Sequence, residues 1–153
     1  MSKVWFYHLE RKPLESVLPG LLEKCLAQGW NAVVEVPGEE RLNALDEWLW
    51  CFSDESFIPH GTAREGDAEH QPVYLTTGPE NPNGSQARFC VEGADPAPGL
   101  GAQPELERMF VLFNGNDEAA LALARQQWSA LKSSTHERAY WRQNDEGRWE
   151  QKA

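Results

Sequence analysis

Apolar positions along the 153-residue chain follow two rhythms, short unbroken runs and stripes at helical spacing. Val4, Trp5, Phe6, Tyr7, His8 and Leu9 form a run of aromatic and branched residues that predicts a buried first strand. Leu14, Val17, Leu18, Leu21, Leu22, Cys25 and Leu26 then recur at helical spacing and stop at Gly29. A helix start near Ser16 would put Pro19 in the first turn, where spare backbone donors make it tolerable. Residues 31–36 predict a second strand, Pro37-Gly38 a turn, and Leu42, Leu45 and Leu49, with Trp48 beside them, a second helix. Strand, helix, strand, helix in this order predicts parallel pairing and an α/β layer fold.

Farther along, residues 73–77 and 87–91 read as short strands around the turn Asn81-Pro82-Asn83-Gly84. Residues 93–105 are rich in Pro, Gly and Ala and predict a flexible loop. Residues 109–113 are continuously apolar, as in a central strand. A helix from Asn116 to about Lys132 follows, with Asp117 and Glu118 in its first turn, where carboxylates suit the dipole. Residues 138–142 and 148–150 flank Asn144-Asp145-Glu146-Gly147 as a terminal hairpin or a strand with a turn. No internal repeat is visible, and one domain over residues 1–153 is expected.

Composition narrows the function. Apolar residues make up 41% and charged residues 25%, enough for one core and against disorder. A formal net charge of −10 opposes gripping nucleic acid across the whole surface, which needs a basic footprint, although a local basic patch is compatible. No apolar run approaches the roughly 18 residues of a membrane span. The opening residues read as a strand, not a secretory leader. Cys25, Cys51 and Cys90 are odd in number and scattered, which excludes a disulfide framework or a four-Cys zinc site and suits reduced cytoplasmic thiols.

Catalytic signatures are missing. After the first strand a dinucleotide fold needs Gly-x-Gly-x-x-Gly so that amides can approach the pyrophosphate, whereas residues 8–13 contain no glycine. No phosphate-cradling Gly-x-x-x-x-Gly-Lys loop and no Gly-x-Ser-x-Gly elbow is present. His8, His60, His70 and His136 show no metal-ligand spacing, and Cys51 with His60 lacks an orienting third group. No cofactor, metal or catalytic residue is expected.

Charge is unevenly placed. Residues 116–153 carry six basic and six acidic side chains, so the first 115 hold the whole deficit. Residues 119–142 hold four basic side chains against Glu137 alone. On the last long helix Leu121, Ala124, Trp128 and Leu131 form the stripe expected to face the sheet. Arg125 and Lys132, seven apart, share a face with Trp128 between them. Two cations around a ring suit an acidic peptide ending in an aromatic residue, because Arg clamps a carboxylate with parallel hydrogen bonds. The same residues admit a structural reading: Lys132 complementing the dipole, Arg125 solvated, Trp128 in the core. Trp48, Trp50, Phe52, Phe57 and Ile58 form a second cluster, backed by Pro59, which suits either an interface anchor or a satellite core under a loop.

These residues resemble the chi subunit of bacterial DNA polymerase III, an accessory protein of the clamp loader. Phe6-Tyr7 in the first strand, Leu45-Asp46-Glu47-x-Leu49-Trp50, Glu55-Ser56-Phe57-Ile58-Pro59-His60 and Leu123-Ala124-Arg125 carry the resemblance, which covers nearly the whole chain. It implies a single-domain, Rossmann-like three-layer α/β fold with a mostly parallel central sheet and no activity of its own. It also implies an adaptor that holds the acidic, Phe-ending C-terminal tail of single-stranded DNA-binding protein. Arg125, Trp128 and Lys132 match that tail site. Trp50, Phe57, Pro59 and His60 match a second surface for the psi subunit or a functional substitute, with DNA met only indirectly. Leu121 and Ser129 stand where relatives carry lysine, and Asn114 replaces an apolar pocket residue. Two rival readings are a Rossmann-like nucleotide-binding protein or enzyme without its glycine loop, and direct single-strand binding through the C-terminal aromatics and arginines.

Overall fold

In the computed structural model, which describes residues 3–10, 12–51, 59–63, 66–102, 106–132, 136–146 and 148–153, the opening aromatic run is strand β1 (Lys3–Leu9). It lies inside the sheet, pairing in parallel with β6 (Arg108–Asn114) on one side and β7 (Glu137–Gln143) on the other. A strand covered on both faces must be apolar on both, which is why β1 and β6 read as runs and not as alternations. Outward from β6 come β5 (Ala87–Val91), β2 (Ala32–Glu35), β4 (Val73–Thr76) and β3 (His60–Gly61), all parallel. On the far edge β8 (Trp149–Gln151) pairs antiparallel with β7, closing the terminal hairpin. The order of this eight-stranded sheet is β3-β4-β2-β5-β6-β1-β7-β8.

Two cores sandwich the sheet. Leu18 and Leu22 of α1 (Leu14–Ala27) and Leu42, Leu45 and Leu49 of α2 (Glu39–Cys51) pack with Tyr7, Val34, Phe89, Phe110 and Leu112 on one face. Ala124 of α4 (Glu118–Ala130), Leu131 just after it and Leu100 of the short α3 (Ala97–Ala102) pack with Val4, Phe6, Met109 and Val111 on the other. The fold is therefore three layers around a mostly parallel sheet. None of the described helices is long and apolar enough to cross a membrane. Neighbouring strands β1 and β6 send their helices, α1 and α4, to opposite faces. Their shared end is thus a topological switch point, where open α/β sheets form a crevice.

Three local expectations are corrected. Residues 93–105 are not all loop, since α3 occupies Ala97–Ala102. Asp95 Oδ1 accepts the Ala97 N–H at 3.0 Å, and Pro96 and Pro98 bring the fixed φ that suits a first turn. The last long helix begins at Glu118, with Asp117 outside it as the cap, accepting the N–H groups of Ala119 and Ala120. Finally, α1 starts at Leu14, so Pro19 lies in its interior and cannot donate to the Glu15 carbonyl one turn back. The Trp48 indole supplies that donor, with Nε1 3.1 Å from Glu15 O. Trp48→Phe should therefore lower stability by about 1 kcal/mol, read as a fall of a few degrees in Tm. In a Pro19→Ala background the loss should shrink, because the substituted backbone restores the helical N–H.

Candidate functional site

Helix α4 runs antiparallel to the strands it connects and lays Ala124 and Leu131 in the core, with Leu121 and Trp128 half-buried beside them. That stripe turns Arg125 and Lys132 outward. Both are exposed, and neither side chain has an ion pair or hydrogen bond among the described residues. Next to α4, strand β7 presents Arg138, Tyr140 and Arg142 on the same face by its two-residue period, while Trp141 packs on the α1 side.

Trp128 joins helix to strand. Its ring meets Phe6 edge-on at 5.4 Å and Tyr140 edge-on at 5.8 Å, and the Arg138 guanidinium stacks 4.2 Å from the ring centroid. Arg138 Nη1 also donates to Trp128 O at 2.6 Å. The seam between α4 and β7 thus has aromatic side chains along its length and cations along both sides. Arg125, Lys132 and Arg138 have no carboxylate partner among the described residues.

The upper end of the seam is polar. His8 Nδ1 lies 2.5 Å from the Tyr140 hydroxyl, and His8 Nε2 lies 2.8 Å from Glu10 Oε1. Arg142 Nη2 holds the same Glu10 oxygen. Burial is the leading cause that keeps His8 below its usual pKa; Glu10 pulls upward, and Arg142 and Arg125 push down again. A neutral imidazole can accept the Tyr140 proton at Nδ1, while Nε2, although close to Glu10, makes no hydrogen bond among the described residues. Burial likewise raises Tyr140, while Arg142 and Arg125 lower it, so both guanidinium groups act on this end of the seam. Tyr140 and His8 were absent from the sequence-based site. The alternation of Arg138, Tyr140 and Arg142 along one strand face was the signal for the first; no local pattern marks the second.

The other predicted surface is partly assembled. Trp50 is 50% exposed, and its ring lies 4.5 Å from that of His60. His60 is buried, with Nε2 3.1 Å from Asp46 Oδ1, so it props the tryptophan from below instead of offering a contact face. Pro59 sits half-buried next to it, and Phe57 lies outside the described residues.

A cavity of about 690 Å³ occupies the switch point at the ends of β1 and β6, on the side of α4 away from Trp128. Glu10, Glu15, Glu92 and Asp117 line it against Lys12, and the cap Asp117 already takes the first donors of α4. Carboxylates here oppose a phosphate, which in nucleotide-binding proteins of this general architecture sits at such a helix start. Asp67, Glu69 and His70 bring possible metal-ligand atoms within 4.8 Å of one another, but on an exposed turn where His70 Nδ1 is already 2.7 Å from Asp67 Oδ1. Burial pushes the Cys25 thiol up to about 11 and Cys90 higher still, so neither is a ready nucleophile.

Comparison with known proteins identifies the family. Residues 1–138, which include Arg125, Trp128 and Lys132, match the family described as DNA polymerase III chi subunit, HolC. A probable DNA polymerase III subunit chi of Rickettsia prowazekii is 27% identical over 95 residues, covering 62% of this chain and 58% of that protein. The DNA polymerase III subunit chi of Pseudomonas aeruginosa is 38% identical over 80 residues, covering 52% of this chain and 54% of its own length. The chain thus spans a little over half the length of these curated relatives. The C-terminal domain of the DEAD-box protein Dbp5 superposes over 91% of this chain and 90% of its own, with a TM-score of 0.52 at 15% identity, which is a likeness of fold alone. On the family match over residues 1–138, the chain belongs to the DNA polymerase III chi subunit family.

Proposed function

We propose that the protein is a non-catalytic adaptor of the replication machinery that captures the acidic C-terminal tail of single-stranded DNA-binding protein in the seam between α4 and β7. The observation that carries this reading is the presence of Arg125, Lys132 and Arg138, without carboxylate partners among the described residues, around the half-buried rings of Trp128 and Tyr140 in a protein of net charge −10. An acidic molecule that leaves cations unneutralised beside aromatic side chains offers carboxylates charge-assisted hydrogen bonds and a terminal phenyl group an apolar wall. The exposed Trp50, with Pro59 beside it and His60 beneath, would tether the adaptor to the clamp loader through psi or a functional substitute. DNA is met through the tail, and the setting is cytoplasmic.

The test is titration of a short acidic peptide ending in phenylalanine against wild type and Arg125→Ala. Loss of the guanidinium should weaken binding about ten- to a hundredfold, since hydrogen bonds to charged groups contribute about 1.5–3 kcal/mol. Wild-type affinity should also fall as salt rises from low to physiological. Equal affinities for the two proteins would remove the site.

A further inference from the structure

Arg142 is the cation of the seam that carries a carboxylate. Glu10 stands just beyond β1 and places one oxygen, Oε1, against both Arg142 Nη2 and His8 Nε2. The two nitrogens flank that oxygen, and the Tyr140 hydroxyl, 2.5 Å from His8 Nδ1, braces the imidazole from its far side. Arg125 acts electrostatically on both His8 and Tyr140. Such a set is what a carboxylate-binding site contains, and here its ligand comes from the same chain. We propose that Arg142, His8 and Tyr140 form a second carboxylate subsite beside Arg125, occupied in the free protein by Glu10, which an acidic residue of the incoming peptide displaces.

The subsite rests on the tail-binding reading and adds to it a specificity element and an internal competitor. Displacement needs only a side-chain rotation. The Glu10 backbone is anchored independently, since Asn116 Nδ2 donates to Glu10 O at 2.8 Å, and Gly115 N donates to Leu9 O at 2.6 Å. The pair is also easy to break. Arg142 is 48% and Glu10 29% exposed, in the range where solvent screening leaves an ion pair worth little. A peptide with two or more acidic residues can engage Arg125 and Arg142 together, whereas one with a single carboxylate reaches Arg125 without dislodging Glu10. The seam should therefore favour densely acidic tails over singly charged ones. His8 stays in place under the seam, where a Cβ at Gly115 would overlap its ring.

The experiment measures binding of the acidic, Phe-ending peptide to wild type, Glu10→Gln, Glu15→Gln, Arg142→Gln and the Glu10→Gln/Arg142→Gln double variant, with Arg125→Ala alongside. Glu10→Gln should tighten binding about three- to fivefold, the free energy of a screened pair no longer opposing the peptide. Glu15→Gln removes an equal charge nearby without touching Arg142 and should change affinity less than about twofold. The gain should vanish in the Arg142→Gln background, where nothing is released. An unchanged or weaker affinity for Glu10→Gln, an equal gain from Glu15→Gln, or a gain that survives Arg142→Gln overturns the subsite. If Arg125→Ala still abolishes binding in that case, the tail reading stands without it. If wild type does not bind the peptide, both fall.

Discussion

Arg88→Ala is expected to destabilise the protein by about 3–5 kcal/mol in urea denaturation, the penalty for stripping one partner from a buried ion pair. Arg88 is 1% exposed in β5, with Nη2 2.5 Å from Glu35 Oε1 on the adjacent β2 and Nε 3.1 Å from the same oxygen. Its remaining donors hold Glu80 O at 3.0 Å and Gly78 O at 2.6 Å, so the guanidinium also fixes the turn after β4. Removing it strands a carboxylate and two carbonyls in the same stroke. Glu35 is held above the usual carboxylate pKa by burial, with Arg88 pulling the other way, so truncating Arg88 raises it further. A group with a raised folded pKa contributes stability that is present below its unfolded value and lost as pH rises through the folded one. The deficit of Arg88→Ala should accordingly be smallest at acid pH, below the ordinary carboxylate value, and should grow as pH rises through the raised folded one. A paired apolar replacement of Arg88 and Glu35 should cost far less than the single change. A deficit independent of pH would separate Glu35 from the effect.

The layer order was legible because strands buried on both faces and helices buried on one have different periods. β1, β2, β4, β5 and β6 appeared as runs, and α1, α2 and α4 as stripes, close to where they form. Interactions between residues distant in sequence were not legible. Arg88 and Glu35 are 53 positions apart and meet because β5 pairs with β2, which a list of strands does not reveal. Trp48 meets Glu15 for a similar reason, and its role depends on a helix start two residues earlier than the proline suggested. At the site, the charge split along the chain singled out Arg125 and Lys132, since exposed cations need no partner to be recognised. The engagement of Arg142 with Glu10 and of Tyr140 with His8 depends on β7 crossing to lie beside β1, a fact of topology. The two-residue β3 is too short to leave a pattern, and His60 within it is identified as a prop by its contact with the Asp46 backbone carbonyl at 3.3 Å.

Trp128→Ala should lose both stability and peptide binding, whereas Arg125→Ala, three residues away on the same helix, should lose binding alone. The indole is packed against Phe6 and Tyr140 and carries Arg138 on its face. Truncation leaves a void against the first of these and releases the last, so about 2–3 kcal/mol of stability should go, less than a fully buried tryptophan because the ring is half-exposed. Binding should weaken by at least about tenfold, because the apolar wall is gone and Arg138 is no longer aimed along the seam. Trp128→Phe keeps a ring against Phe6 and should recover most of the stability and part of the affinity. Arg125 has no partner within the described chain to lose, so its removal should leave the urea midpoint within about 0.5 kcal/mol of wild type. If Trp128→Ala unfolds more readily yet binds the peptide as wild type does, the ring belongs to the core alone, and the tail would have to be held by the cations without it.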